Sequence, residues 1–150
     1  MRYAGRTLAA ALVSAAATAA VALFSAYRLA DAPIRGRLPG PDPLGSIASA
    51  IALGIGLLVF YRLGRSIDAQ SARPAIASGA IGGALVGVAG GGAQAIALAD
   101  YLTAVLAGYA VPSEFLTLAL GAYVIIATAA GAIIASGVTY AGWHRGRRSA

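Results

Sequence analysis

The sequence predicts an all-α integral membrane protein: a four-transmembrane-helix bundle with a Gly-rich third helix, forming a single membrane domain over residues 1–150. Three observations predict this fold. The chain is 59% hydrophobic and has a mean hydropathy of +0.80, which is too apolar for an ordinary soluble domain. Its charged residues, 11% of the total, cluster between four apolar runs. One of these runs carries glycine at every fourth position.

The first predicted span covers residues 7–27 and follows a short basic segment, Met1–Arg6. A positively charged start before an apolar run is typical of a retained transmembrane helix and also of a cleaved signal peptide. The run is longer than the apolar core of most signal peptides, which favours retention, and both interpretations of residues 1–30 stay open. Ser14 and Thr18 fall on one face of this span.

The second predicted span covers residues 44–61 and follows a proline-rich loop, Arg28–Pro43. Pro43 suits the first turn of the helix, because no intrahelical hydrogen bond needs its missing N–H there. Gly45 and Gly56 lie on a small-residue face of this span, so we predict that they contact another helix.

The third predicted span, residues 75–98, is uncharged and long enough to cross a bilayer. Gly79, Gly83, Gly87 and Gly91 recur at every fourth position, the spacing of a glycine zipper. In an α-helix these glycines share one side, and bulky side chains occupy the opposite side at Ile81, Leu85, Val88 and Ile96. We therefore predict that the glycine side packs against a neighbouring helix.

Two polar residues near the end of this span are candidates for a polar contact or for transport: Gln94 and Asp100. Gln94 falls on the glycine side, where we expect its amide to hydrogen-bond to another helix. Residues 99–110 either form an interfacial helix or extend the third span. In an extended helix Asp100 would lie near the edge of the glycine side, close enough for an ion pathway; otherwise it is an ordinary carboxylate at the membrane surface.

The fourth predicted span covers residues 115–143. We predict that Ser113 caps its helix and that Glu114 complements the helix dipole. Gly121 lies on a side of this span that is rich in small and hydroxyl-bearing residues, which predicts another packing contact. The span ends at Trp143, a residue type favoured at the membrane interface, and a basic tail follows it.

The arginines predict how the chain is oriented. Eight of the eleven lie in the N-terminal segment, the second connection and the C-terminal tail; the first connection contains three and the third contains none. Because basic residues concentrate on the cytoplasmic side, we predict a multi-pass protein of the cell membrane with both termini in the cytoplasm.

The residues that carry chemistry are few. The chain has no cysteine, one histidine (His144) and five acidic residues, none of which lies in the central part of a predicted span. Catalysis and metal binding need reactive or ligating groups that converge in space. The sequence therefore predicts no enzymatic activity, no cofactor and no metal site. Nucleic acid is not an expected partner, because the basic residues are scattered among loops without interleaved aromatics.

Two functional hypotheses follow. The first is a non-catalytic membrane component, acting as a helix-packing, self-associating or accessory subunit of a membrane complex. Its expected partners are the lipid bilayer and either further copies of the chain or other membrane subunits. The alternative is a small transporter or channel that uses Gln94 and the hydroxyl-lined faces of spans one and four. The small faces favour the first hypothesis, because ion transport normally requires more polar groups at membrane depth.

Overall fold

The computed structural model describes residues 3–30, 43–107, 109 and 112–148. These residues form four α-helices, each of them long and apolar enough to cross a membrane. The predicted all-helical class with four candidate spans is therefore confirmed. The helix bounds are α1 Ala4–Ala30, α2 Pro43–Arg65, α3 Arg73–Ala107 and α4 Ser113–Arg147.

Each helix extends beyond the span predicted for it. Helix α2 begins at Pro43, as expected for a proline in the first turn. Helix α3 is continuous from Arg73 to Ala107, so residues 99–107 extend the third helix and do not form a separate interfacial one. Asp100 consequently lies on α3.

The prediction that Ser113 caps α4 is wrong by one residue. The N-cap is Pro112, with φ −58° and ψ 141°, and no side chain caps this helix end. The proline ring already holds φ near the helical value while ψ stays extended, so Ser113 is the first residue inside the helix. Glu114 does lie in the first turn, as predicted.

Around the bundle the helices follow the order α1, α3, α4, α2. Helix α2 in turn contacts α1, which closes the ring. Within the described residues, α1 and α4 lie on a diagonal without contact, and α2 and α3 barely touch. The matched residues show that α1 runs antiparallel to α2 and parallel to α3, while α4 runs antiparallel to α3 and parallel to α2. The N-terminal ends of α1 and α3 and the C-terminal ends of α2 and α4 therefore lie at the same end of the bundle, together with the α2–α3 connection.

Large buried side chains gather at this same end, where Phe60, Leu63, Ile67 and Trp143 form an apolar cluster. Elsewhere the buried residues are mainly alanine, glycine, serine and threonine. Most large aliphatic side chains point outward instead; Ile96, for example, is 79% exposed. A small-residue interior with a bulky apolar exterior is typical of proteins whose solvent is lipid.

The predicted loop between the first two spans lies outside the described residues from position 31 to position 42. Two of its arginines and two of the five acidic residues fall there: Asp31, Arg35, Arg37 and Asp42.

Candidate functional site

The most extensive helix contact among the described residues is the α3–α4 seam. It consists of three glycines of α3 and three small residues of α4 that face one another turn by turn. The pairs are Gly79 with Ala135, Gly83 with Gly131, and Gly87 with Ala127. The step is four residues on each helix, which run in opposite directions, so a small residue recurs at every turn of both helices.

The seam leaves no room for side chains on its glycines. A Cβ atom at Gly79 would lie 2.5 Å from the carbonyl oxygen of Ala135, and one at Gly87 would lie 2.5 Å from the Cα of Thr128. Gly83 and Gly131 exclude each other reciprocally, because a Cβ on either would overlap the carbonyl oxygen of the other. Gly91 continues the row with a looser fit, since its Cβ would lie 3.0 Å from the Cβ of Ala127.

The bulky side of α3 faces outward. Leu85 is 45% exposed and Ile81 is 61% exposed, and Val88 and Ile96 are also exposed. The structure thus turns the four glycines singled out in the sequence toward α4 and turns the large aliphatic residues away from it.

A second row of α3 glycines faces α1. A Cβ at Gly90 would lie 2.8 Å from the hydroxyl oxygen of Thr18, and one at Gly82 would lie 2.7 Å from the ring of Phe60 and 3.4 Å from the side chain of Thr7. The glycine-rich side of α3 is wide enough to pack against two helices, so α3 contacts α4 along one edge and α1 along the other.

The other predicted packing glycines differ from one another. Gly45 is buried on α2. Gly56 is half-buried, and its Cβ would lie 3.8 Å from the Ser14 hydroxyl, at ordinary contact distance. Gly121 is exposed, and a Cβ there would meet nothing within 4 Å among the described residues. Gly121 therefore makes no close helix contact in this chain.

Sequence reasoning missed the glycines that join α2 to α4. A Cβ at Gly64 would overlap the backbone of Thr139, and one at Gly142 would overlap the carbonyl oxygen of Tyr61. Both glycines lie near a helix end beside aromatic and basic residues, so no apolar periodicity marks them. In the sequence they are marked only as glycines near the C-terminal ends of the second and fourth helices, which the fold places side by side.

Gln94 hydrogen-bonds to α4. Its side-chain oxygen accepts a hydrogen bond from the hydroxyl of Tyr123. The amide is half-buried, and Tyr123 is 42% exposed. Asp100 lies farther along α3 and is exposed, so the structure does not bring its carboxylate together with Gln94 in a buried polar site.

Most hydroxyl groups on the small-residue faces donate hydrogen bonds to carbonyl groups of their own helix. Thr18 donates to the Ser14 carbonyl at 2.8 Å, Thr128 to the Val124 carbonyl at 2.7 Å, and the fully buried Thr139 to the Ala135 carbonyl at 2.7 Å. Hydrogen bonds of this kind satisfy a hydroxyl within an apolar interior without a second helix. These hydroxyls therefore do not form a polar path.

Ser14 is the exception among the described hydroxyls that are buried. It is 2% exposed, and its Oγ has no hydrogen-bond partner. Ser14 lines a cavity of about 110 Å³ at the centre of the bundle. The rest of the lining is almost wholly apolar and comes from all four helices, including Gly56, Phe60, Gly83 and Gly131.

The connection between α2 and α3 is held by side chains from the two outer segments of the chain. From α1 and the residue before it, the Tyr3 hydroxyl donates to the Asp68 carbonyl at 2.5 Å and the Arg6 guanidinium to the Ser66 carbonyl at 3.0 Å. From α4, the Trp143 indole N–H donates to the Ala69 carbonyl at 3.2 Å and Arg147 to the Gln70 carbonyl at 2.7 Å. Four donors thus fix this connection from two sides.

No group of three histidine or acidic side chains among the described residues is placed to hold a metal ion. His144, the one histidine of the chain, stacks on Tyr140 with ring centroids 6.0 Å apart. The candidate functional features of the described residues are the packing surfaces and the basic end of the bundle.

Comparisons with known proteins returned no match: no family model, no curated protein and no solved structure is similar to this chain.

Proposed function

We propose that the protein is a non-catalytic, multi-pass component of the cell membrane that acts by helix packing, either with copies of itself or as an accessory subunit of a membrane complex. The observation that carries the proposal is the content of the bundle interior. Apart from the apolar cluster at the end with the α2–α3 connection, it consists mainly of glycine, alanine and hydroxyl-bearing residues, and the described acidic and basic side chains are all exposed. Such an interior supports close association and offers little chemistry.

The proposed orientation places both termini in the cytoplasm. The end that contains the α2–α3 connection carries seven described arginines and one acid, Asp68. The opposite end carries one described arginine, Arg28, and the acids Asp100 and Glu114. Because basic residues are retained on the cytoplasmic side during insertion, the arginine-rich end is assigned to the cytoplasm.

Gly121 supports the assembly part of the proposal. It lies one turn from Leu118 and one turn from Ile125, which are 70% and 71% exposed. A glycine between two bulky side chains forms a notch that accepts a side chain of another helix. No described residue lies within 4 Å of a Cβ at Gly121, whereas Gly79, Gly83 and Gly87 of α3 are covered by α4.

The experiment is purification of the full chain from its native membrane in several mild detergents, with the complex mass measured and co-purifying proteins identified. We expect a complex larger than one chain, and we expect Gly121→Leu to break it. Gly137→Leu is the matched control, because Gly137 is also open and lies on another face of α4. A single-chain mass in every detergent, with no co-purifying protein, would overturn the proposal.

A second candidate function, transport, draws on one observation: the buried and unpartnered hydroxyl of Ser14 in the central cavity. A pathway through this cavity would give reconstituted vesicles a solute or ion flux that changes in Ser14→Ala, Gln94→Ala or Asp100→Asn. The apolar lining of the cavity and the exposed position of Asp100 support helix packing over transport. Equal flux in vesicles with and without the protein would exclude the transport candidate.

A further inference from the structure

The basic end of the bundle contains a pocket between the C-terminal parts of α2 and α4. It has a volume of about 700 Å³ and is lined by Tyr61 of α2, by Tyr140, Ala141, His144 and Arg145 of α4, and by Arg148 at the C-cap of α4. We propose that this pocket binds the headgroup of an anionic phospholipid. The proposal rests on the membrane location proposed above but not on assembly with other subunits.

Tertiary packing creates the pocket. Gly142 lets the two helices meet, since a Cβ there would overlap the Tyr61 carbonyl oxygen and lie 3.2 Å from the Arg65 backbone nitrogen. This close approach places the single α2 residue of the pocket, Tyr61, beside the exposed face of α4. Tyr61 is distant in sequence from the other residues of the pocket, so the charge pattern of the tail alone does not reveal the site.

On the α4 side of the pocket, the side chains change from tyrosine to histidine to arginine toward the C-terminal end of the helix. Tyr140, His144 and Arg148 recur at every fourth position, so each step advances about 6 Å along the axis. The rings of Tyr140 and His144 are stacked, with 15° between their planes. Tyrosine is favoured at the depth of the lipid glycerol, and arginine extends its guanidinium toward the phosphates. The order of the side chains matches the order of groups in a phospholipid.

The charge of the pocket selects an anion. Two arginines, Arg145 and Arg148, line it, and none of its described lining residues is acidic. The helix ends themselves do not favour an anion, because carbonyl groups make a helix C-terminus partly negative. Anion binding here therefore depends on the arginine side chains, which makes substitution of these two residues a direct test.

The test is native mass spectrometry of the full chain in detergent, titrated with phosphatidylglycerol or phosphatidylcholine. We expect phosphatidylglycerol to bind preferentially and the double variant Arg145→Gln/Arg148→Gln to weaken that binding about tenfold or more. The matched control is Arg62→Gln/Arg73→Gln, which removes the same charge from the same end outside the pocket. We expect the control to bind phosphatidylglycerol within about twofold of the unmodified chain.

Three results would overturn the proposal. Equal weakening in the pocket and control variants would indicate a general electrostatic attraction. Equal binding of phosphatidylcholine would show that the charge is not recognised. Displacement of the lipid by millimolar inorganic phosphate would identify a soluble anion as the ligand. Tyr140→Phe and Arg148→Gln alone, both at exposed positions, provide folded variants in which partial loss is expected. The same spectra report the number of chains per complex, so a failure of the assembly proposal is read separately.

Discussion

Helices α3 and α4 contact each other backbone to backbone, whereas α1 and α2 are separated by side chains. At the α3–α4 seam a single methyl group on Gly79, Gly83 or Gly87 would overlap atoms of the opposite backbone. Between α1 and α2, a methyl group on Gly56 would only reach ordinary contact with Ser14, beside the central cavity. Both pairs are antiparallel and both are rich in small residues, yet only one is closely packed.

The two pairs differ in what faces their small residues. The seam pairs a small residue with a small residue at consecutive turns of both helices. The α1–α2 pair has small residues on both sides, but Leu53, Leu57 and Phe60 of α2 also line the central cavity. In these two antiparallel pairs, the matched small residues accompany the closer approach of the helices.

The largest expected effect is at the seam. In Gly87→Leu a four-carbon side chain would have to enter the backbone of Ala127 and Thr128. We expect loss of folding, with a destabilisation above about 3 kcal/mol. Accumulation in the membrane and recovery of a single species from size-exclusion chromatography measure it. The control is Leu85→Ile on the exposed side of α3, which we expect to be tolerated. Equal accumulation of the two variants would contradict the assignment of the faces.

A smaller effect compares two glycines of α4. Gly131→Ala places a methyl group against the Gly83 carbonyl, whereas Gly137→Ala places one in open space. We expect Gly131→Ala to lower stability by about 1–3 kcal/mol. Gly137→Ala should leave stability unchanged or raise it by up to about 1 kcal/mol, since alanine favours the helix. Thermal unfolding in detergent, followed by loss of the chromatographic peak, separates them. Equal unfolding temperatures would show that α3 and α4 can move apart without cost.

The next effect concerns the α2–α3 connection. Tyr3→Phe removes the hydroxyl that donates to the Asp68 carbonyl and should lower stability by about 1 kcal/mol. Tyr27→Phe is the matched control at the opposite end of α1, where the side chain is 73% exposed. The same thermal assay applies to both. A control that is destabilised as much as Tyr3→Phe would mean that the connection is not held by this hydrogen bond.

The smallest effect is at the central cavity, and its sign is informative. Ser14→Ala removes a buried hydroxyl without a partner, so we expect unchanged or slightly raised stability, by at most about 1 kcal/mol. Ser136→Ala removes a hydroxyl that is placed to donate to the Ala132 carbonyl of its own helix at 2.6 Å and to the Ile76 carbonyl of α3 at 3.3 Å, and it should lower stability instead. Clear destabilisation in Ser14→Ala would indicate that its hydroxyl has a partner in the membrane, as a bound ligand would provide.

The helices and the two sides of α3 follow from local pattern. Apolar runs separated by charged residues define four spans, and the helical repeat decides which residues share a side with Gly83. Helix ends are harder to predict from the sequence. Pro112 and Ser113 are both residue types that occur at the start of a helix, and in the structure Pro112 is the N-cap. For residues 99–107 the sequence also allows two structures. A stretch with both apolar and interfacial residues is compatible with an extension of the third helix and with a separate interfacial helix.

Which helix faces which is not a local property. Gly121 and Gly131 have similar neighbours in the sequence, yet Gly131 lies in the seam and Gly121 is open. Only the side on which α3 packs distinguishes them. For the same reason the contacts of Gly64 and Gly142, and the pocket that they help to form, depend on α2 and α4 lying parallel and adjacent. Pairings between distant segments carry no repeat that a single sequence reveals.

The hydrogen bonds to the α2–α3 connection have a consequence for biosynthesis. Helix α4 is the last of the four to leave the ribosome, so the Ala69 and Gln70 carbonyls gain the donors of Trp143 and Arg147 only after the other three helices have been made. A chain that stops before α4 holds this segment only through the donors of Tyr3 and Arg6. In the proposed orientation the segment lies on the side where cytosolic proteases act. Quality control would thus distinguish copies with α4 from copies without it by the state of a single short connection.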